Sequence, residues 1–180
     1  MRTYVPQGTG HVSNGSGNCS MQLAKVMEFK LDGDASLFMA ADLPAGENPT
    51  GSLDLWIYLH PLQTAHFETQ SVAVTTDETR QTNLIPFSAS SVTYDGSAPD
   101  GGPPRRENIA SIEIMDGGPL GGGVNIRNTR YDFQINLPFD HPQNFTATLP
   151  ALLFGQRRVV IDPVHFSLTR GGRVLGVLCS

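Results

Sequence analysis

The stretch Leu53-Asp54-Leu55-Trp56-Ile57-Tyr58-Leu59-His60-Pro61 decides the fold. Leu53, Leu55, Ile57 and Leu59 recur at every second position, with Asp54, Trp56, Tyr58 and His60 between them. Successive side chains of an extended strand point to opposite faces, so this is a strand buried on one side only. Pro61 ends it, because proline has no N–H to give to a ladder. Working outward, Tyr131, Phe133, Ile135 and Leu137 alternate with Asp132, Gln134 and Asn136. Phe145, Ala147 and Leu149 continue the period, and Val72, Val74 and Thr76 repeat it. Shorter apolar runs occur at 37–43, 84–87, 91–94, 109–114, 159–161, 164–168 and 174–178. Turn residues punctuate them: Pro44-Ala45-Gly46, Asp162-Pro163 and Gly171-Gly172. About nine to eleven short strands at spacings of roughly 8–15 residues predict an all-β antiparallel β-sandwich, of jelly-roll or immunoglobulin-like type. The Cys–Trp–Cys spacing of true immunoglobulin domains is absent, since the two cysteines lie at positions 19 and 179.

Two segments need separate treatment. Residues 20–31 support a short helix, capped by Ser20 with Leu23, Val26, Met27 and Lys30 on one face. They also support a strand, with Met21, Leu23, Met27, Phe29 and Leu31 alternating; the following Asp32-Gly33-Asp34 turn favours the strand. Residues 1–20 are rich in Gly, Ser and Asn and read as a flexible arm ahead of a single domain over 21–180. A phosphate-binding loop there lacks both the preceding apolar strand and a following Lys-Ser/Thr. Residues 95–106 and 116–123, dense in Gly and Pro, read as long loops.

Composition narrows function. The chain has 180 residues, enough to bury a core without a metal or disulfide. Its formal charge is −5, from 12 Lys and Arg against 17 Asp and Glu, which disfavours nucleic acid as a partner. No run of about 18 apolar residues predicts a membrane span. Cys19 and Cys179 are either a disulfide joining the terminal segments or two unrelated small residues. A bridge over so long a loop would stabilise by roughly 4–5 kcal/mol in the chain-entropy account. The opening Met1 to Pro6 carries no signal-peptide core, yet few lysines and many Gly, Ser, Thr and Asn lean towards a secreted or periplasmic setting.

The candidate binding residues are Asp54, Trp56, Tyr58 and His60. On one strand face they offer aromatic rings beside an acid and an imidazole, the chemistry of a sugar-binding platform. The competing reading covers that face and makes the aromatics core residues. His11, His60, His66, His141 and His165 show no metal-binding spacing, so no metal and no cofactor are expected. Asp32-Gly33-Asp34, and Asp95-Gly96 with Asp100, are better read as turns than as calcium loops. No nucleophile elbow occurs, and Glu68, Asp77, Glu78 and Glu107 form no evident catalytic pair. The sequence thus predicts a non-enzymatic binding or assembly protein, with a glycan, a peptide or a neighbouring subunit as partner and a homo-oligomer compatible. The alternative is a jelly-roll hydrolase, metal-dependent or not, using His60, His141 or His165 with nearby acids.

Overall fold

The computed structural model describes residues 2–14, 25–32, 35–42, 51–97, 105–110, 114–117, 125–139 and 142–170. The described residues form strands joined by turns, with no helix. In chain order the strands are β1 (Arg2–Gln7), β2 (His11–Asn14), β3 (Lys25–Asp32), β4 (Ala35–Asp42), β5 (Ser52–Leu59), β6 (Thr64–Phe67), β7 (Ser71–Thr76) and β8 (Thr82–Pro86). There follow β9 (Ala89–Ser97), β10 (Arg105–Asn108), β11 (Met115–Asp116), β12 (Asn125–Asn136), β13 (Asn144–Thr148), β14 (Leu152–Phe154), β15 (Arg157–Val159) and β16 (Val164–Arg170). They make a five-stranded sheet β1-β16-β13-β7-β8, a seven-stranded sheet β10-β9-β12-β5-β4-β3-β2 and a four-stranded sheet β11-β6-β14-β15, all antiparallel.

This is a β-sandwich, and the period-2 pattern is its cause. Leu53, Leu55, Ile57 and Leu59 of β5 are fully buried, while Asp54, Trp56 and Tyr58 between them are not. The buried faces of all three sheets meet in one apolar cluster. Phe145 and Phe166 stack at 4.9 Å in the five-stranded sheet, and Phe67, Phe87 and Phe133 meet edge to face across the sheets. Burying each such side chain stabilises the fold by about 1.5–3 kcal/mol.

Several expectations are corrected. Over 25–31 the favoured strand is formed and the alternative short helix is not: those residues belong to β3, which pairs with β4 through Met27↔Met39 and Phe29↔Leu37. The arm is not loose over residues 2–14. β1 pairs with β16 along its whole length, and β2 pairs with β3. Tyr4 anchors β1: its ring is buried edge-on against Phe145, and its hydroxyl donates to the Pro142 carbonyl at 2.9 Å. The pattern of Tyr4 and Pro6 buried between Thr3 and Val5 is a strand pattern that the glycines after it obscure. Two stretches expected as loop are strand: Asp95 to Ser97 pair with Asn125 to Asn128 of β12, and Arg105 and Arg106 pair with Tyr94 and Thr93 of β9. Ile109 follows β10 rather than starting a strand of its own. Cys19 and Cys179, the loop cores at 98–104 and 118–124, and the apolar run at 174–178 lie outside the described residues.

Candidate functional site

The outer face of the seven-stranded sheet carries the candidate site. Antiparallel register sets two adjacent rows across it. One runs Glu28, Phe38, Trp56, Asp132, Ser91; the next runs Lys30, Ser36, Tyr58, Arg130, Thr93. Directly opposed side chains lie close enough to interact, so the rows become a contact network.

Its centre is an aromatic and cationic stack. The Phe38 ring lies parallel to Trp56 at 5.4 Å, with only 6° between the planes. The Arg130 guanidinium lies over the same indole at 5.2 Å from its centroid. Because β5 runs between β4 and β12, Phe38 flanks Trp56 on one side and Arg130 on the other. Tyr58 meets Phe38 edge to face at 5.5 Å and accepts a 3.4 Å hydrogen bond from Arg130. Desolvated cation–π contacts of this kind contribute about 2 kcal/mol, exposed ones less.

Charge-assisted bonds pin the stack from both ends. Arg130 Nε donates to Asp132 Oδ1 at 2.6 Å. The buried Ser91 hydroxyl donates to Asp132 Oδ2 at 3.1 Å and accepts two bonds from Arg106. On the β3 side the buried Ser36 hydroxyl accepts from Lys30 and donates to Glu28, while Lys30 and Glu28 pair at 2.5 Å. Burial works against the Arg130 charge, but Asp132 and Tyr58 outweigh it and raise its pKa. The Lys30 and Ser36 bonds hold the Glu28 carboxyl below its usual range.

An acid pair adjoins the stack. Asp54 shares a side-chain hydrogen bond with Asp42; burial first, then Asp42 and Asp132, push its carboxyl up to about 7. The face therefore holds one carboxyl that changes charge near neutrality.

Of the four residues expected from the sequence, Asp54, Trp56 and Tyr58 share this face on β5. His60 stands apart. β5 ends at Leu59, and His60 opens a turn in which its N–H donates to Gln63 Oε1 at 2.7 Å and its carbonyl accepts from Gln63 N at 3.0 Å. Gly117 packs against that turn so closely that a Cβ would sit 1.8 Å from the His60 carbonyl oxygen. Sequence reasoning missed Phe38, Arg130, Asp132, Ser91, Arg106 and Asp42. Phe38 lies inside an apolar run, and only strand register brings Arg130 and Asp132 to Trp56, Ser91 and Arg106 to Asp132, and Asp42 to Asp54.

The remaining candidates are spread. His141 and Asp100 lie outside the described residues. His165 on β16 hydrogen-bonds Thr146 on β13 at 3.1 Å and stands 3.9 Å from Asp77. Glu68 pairs with Arg158 at 2.6 Å, and Glu78 accepts from the Gln143 N–H at 2.8 Å. Among the described residues no three His, Cys, Asp or Glu side chains converge to hold a metal ion. Nor is any helix there long and apolar enough to cross a membrane. An open concavity of about 570 Å³ is lined by Asp32, Leu62, Gln63, Phe154 and Arg157 among others, with no residue of the aromatic stack. No protein-family model, curated protein or solved structure matches this chain.

Proposed function

We propose that this chain is a non-enzymatic β-sandwich protein that binds or assembles through the outer face of its seven-stranded sheet. The partner class that fits is an extended peptide or the surface of another protein. One observation carries this reading: Phe38, Trp56, Tyr58 and Arg130 form a single preorganised cluster on a sheet face. Trp, Tyr and Arg are the residues on which protein interfaces concentrate their binding energy. Their geometry here lowers the ordering cost of binding, because Asp132, Ser91 and Arg106 already fix the Arg130 side of the stack. A glycan suits the face less well. Stacking a pyranose needs one open ring face, and Phe38 and Arg130 flank the indole on both sides.

Selection of a random peptide display library on the intact protein tests this, with a glycan array run in parallel. Enriched peptides that bind wild type and lose at least about tenfold affinity to Trp56→Ala and Arg130→Ala support the reading. No enrichment, or glycan binding that disappears in Trp56→Ala, refutes the protein-partner assignment. Far-UV circular dichroism establishes that both variants keep the fold.

A hydrolase is the second reading, and the Asp77, His165, Thr146 arrangement on the five-stranded sheet is the observation that favours it. Turnover of activated esters that is abolished in His165→Ala would move the assignment to this reading.

A further inference from the structure

We infer that β8 is a self-association edge, through which two copies of this chain join their five-stranded sheets into one continuous antiparallel sheet about a twofold axis at Leu84. The site lies on a different sheet from the aromatic stack, so it stands or falls independently of the proposed function.

The three described sheets have six edge strands: β1 and β8, β10 and β2, β11 and β15. Exposed edges invite pairing, and proteins blunt them with charge, proline or brevity. β10 carries Arg105, Arg106 and Glu107; β15 carries Arg157 and Arg158; β1 carries Arg2 and an internal Pro6. β11 has 2 residues and β2 has 4, one of them His11. β8, Thr82-Asn83-Leu84-Ile85-Pro86, has 5 residues, its one proline at the last position and no ionisable side chain, and none occurs from Gln81 through Ser91. Leu84 is 72% exposed at its centre, with Thr82 and Pro86 exposed on either side.

The backbone parity follows from the register. β7 and β8 pair as Ser71↔Pro86, Val72↔Ile85, Ala73↔Leu84 and Thr75↔Thr82. One step beyond, the Phe87 N–H donates to the Gln70 carbonyl at 2.9 Å, so Phe87 opposite Gln70 is a hydrogen-bonded pair. Hydrogen-bonded and non-bonded pairs alternate along an antiparallel ladder. Ile85 and Asn83 therefore bond to β7, while Thr82, Leu84 and Pro86 turn their backbone groups away from it. Pro86 agrees independently, since proline is tolerated in a strand where its nitrogen faces the open side.

A second copy satisfies that edge. With Leu84 opposite the partner's Leu84, each donates its N–H to the other's carbonyl. Each Thr82 N–H then reaches the carbonyl of the partner's Pro86. That makes about four intermolecular backbone bonds, with the missing proline donors asking for nothing. The two exposed leucines come together on the outer face, next to Thr82 and the partner's Pro86. The nearest charged turn, Asp77 to Arg80, lies at one end of each strand, so the twofold sets the two charged turns at opposite ends of the joint.

Sedimentation velocity on the full chain from about 5 to 500 μM tests the inference, because an edge pairing of this size gives a weak to moderate dimer. Wild type is expected to dimerise with rising concentration. Leu84→Lys places two like charges at the axis and should raise the dimer Kd by about tenfold or more. Leu84→Pro deletes an outward N–H without touching the β7 ladder and should have the same effect. Circular dichroism checks the fold of each; if Leu84→Pro does not fold, Leu84→Lys decides. In wild type the Thr82 and Leu84 amides should gain hydrogen-exchange protection as concentration rises. A monomeric wild type across the range overturns the inference, even if a foreign strand binds there. So does a dimer that Leu84→Lys leaves unchanged.

Discussion

Asp54→Asn should leave stability unchanged in acid and raise it at alkaline pH. In the folded protein burial, then Asp42 and Asp132, move the Asp54 carboxyl from its ordinary 3.8 to about 7. The unfolded chain returns it to the ordinary value, so the folded state holds this proton more tightly. A raised folded pKa gives stability that is fully present below about 3.8 and is lost as pH rises through about 7. Each pH unit in that interval is worth about 1.4 kcal/mol, which sets an upper limit of roughly 4 kcal/mol. The Asp54 side chain is only partly out of water, which trims this limit, so about 2–4 kcal/mol is expected. Asparagine has the same shape, is neutral at every pH and can donate to Asp42 as the protonated carboxyl does. The assay is urea unfolding of both proteins from about pH 4 to pH 9, followed by far-UV circular dichroism. The difference in unfolding free energy, variant minus wild type, is the quantity to plot. Glu28 and Glu68, whose lowered pKa values act in the opposite direction, cancel in that subtraction. The difference should be near zero at the acid end and climb to its plateau above about pH 7.5. A difference that stays flat across the range, or a variant less stable than wild type at alkaline pH, refutes the reasoning.

Tyr4→Phe keeps the ring against Phe145 but strands the buried Pro142 carbonyl, and should cost about 1–3 kcal/mol by denaturant unfolding. An effect below about 0.3 kcal/mol would mean that β1 does not depend on that bond. Gly117→Ala forces a Cβ into the His60 carbonyl, so the β11–β6 pairing must shift. Its melting temperature should fall by several degrees or more, and hydrogen exchange should show the loss centred on Thr64 and Met115; an unchanged melt would disprove the close approach.

The strand interiors were legible because burial on one side imposes a period of two. Leu53 to Leu59 and Tyr131 to Leu137 could be sorted into inward and outward sets residue by residue, and the structure sorts them the same way. Where composition masked that period the reading went astray. Tyr4 and Pro6 alternate correctly, but the glycines and serines that follow dominate the window, while the ladder to β16 and Tyr4 buried on Phe145 hold the strand. Residues 95–97 and 105–106 border a Gly/Pro loop yet pair with β12 and β9 respectively, because ladder bonds run through the backbone and tolerate small and charged side chains. Counting two from Tyr58 puts His60 on the same face, but a strand's alternation is guaranteed only within the strand, and β5 ends at Leu59 where the turn to Gln63 begins.

The candidate site divides along the same line. Its β5 members, Asp54, Trp56 and Tyr58, were determined by the amino-acid order alone, since facing outward is a local property of a strand whose other face is aliphatic. That Phe38 flanks the indole on one side and Arg130 on the other was settled by the tertiary structure. So was the approach of Asp42 to Asp54. Those neighbours come from strands far apart in the chain, and their side-by-side placement depends on how the sheets close over a shared apolar core. A periodic pattern tells each residue which way to face; only the closure of that core chooses what it faces beside.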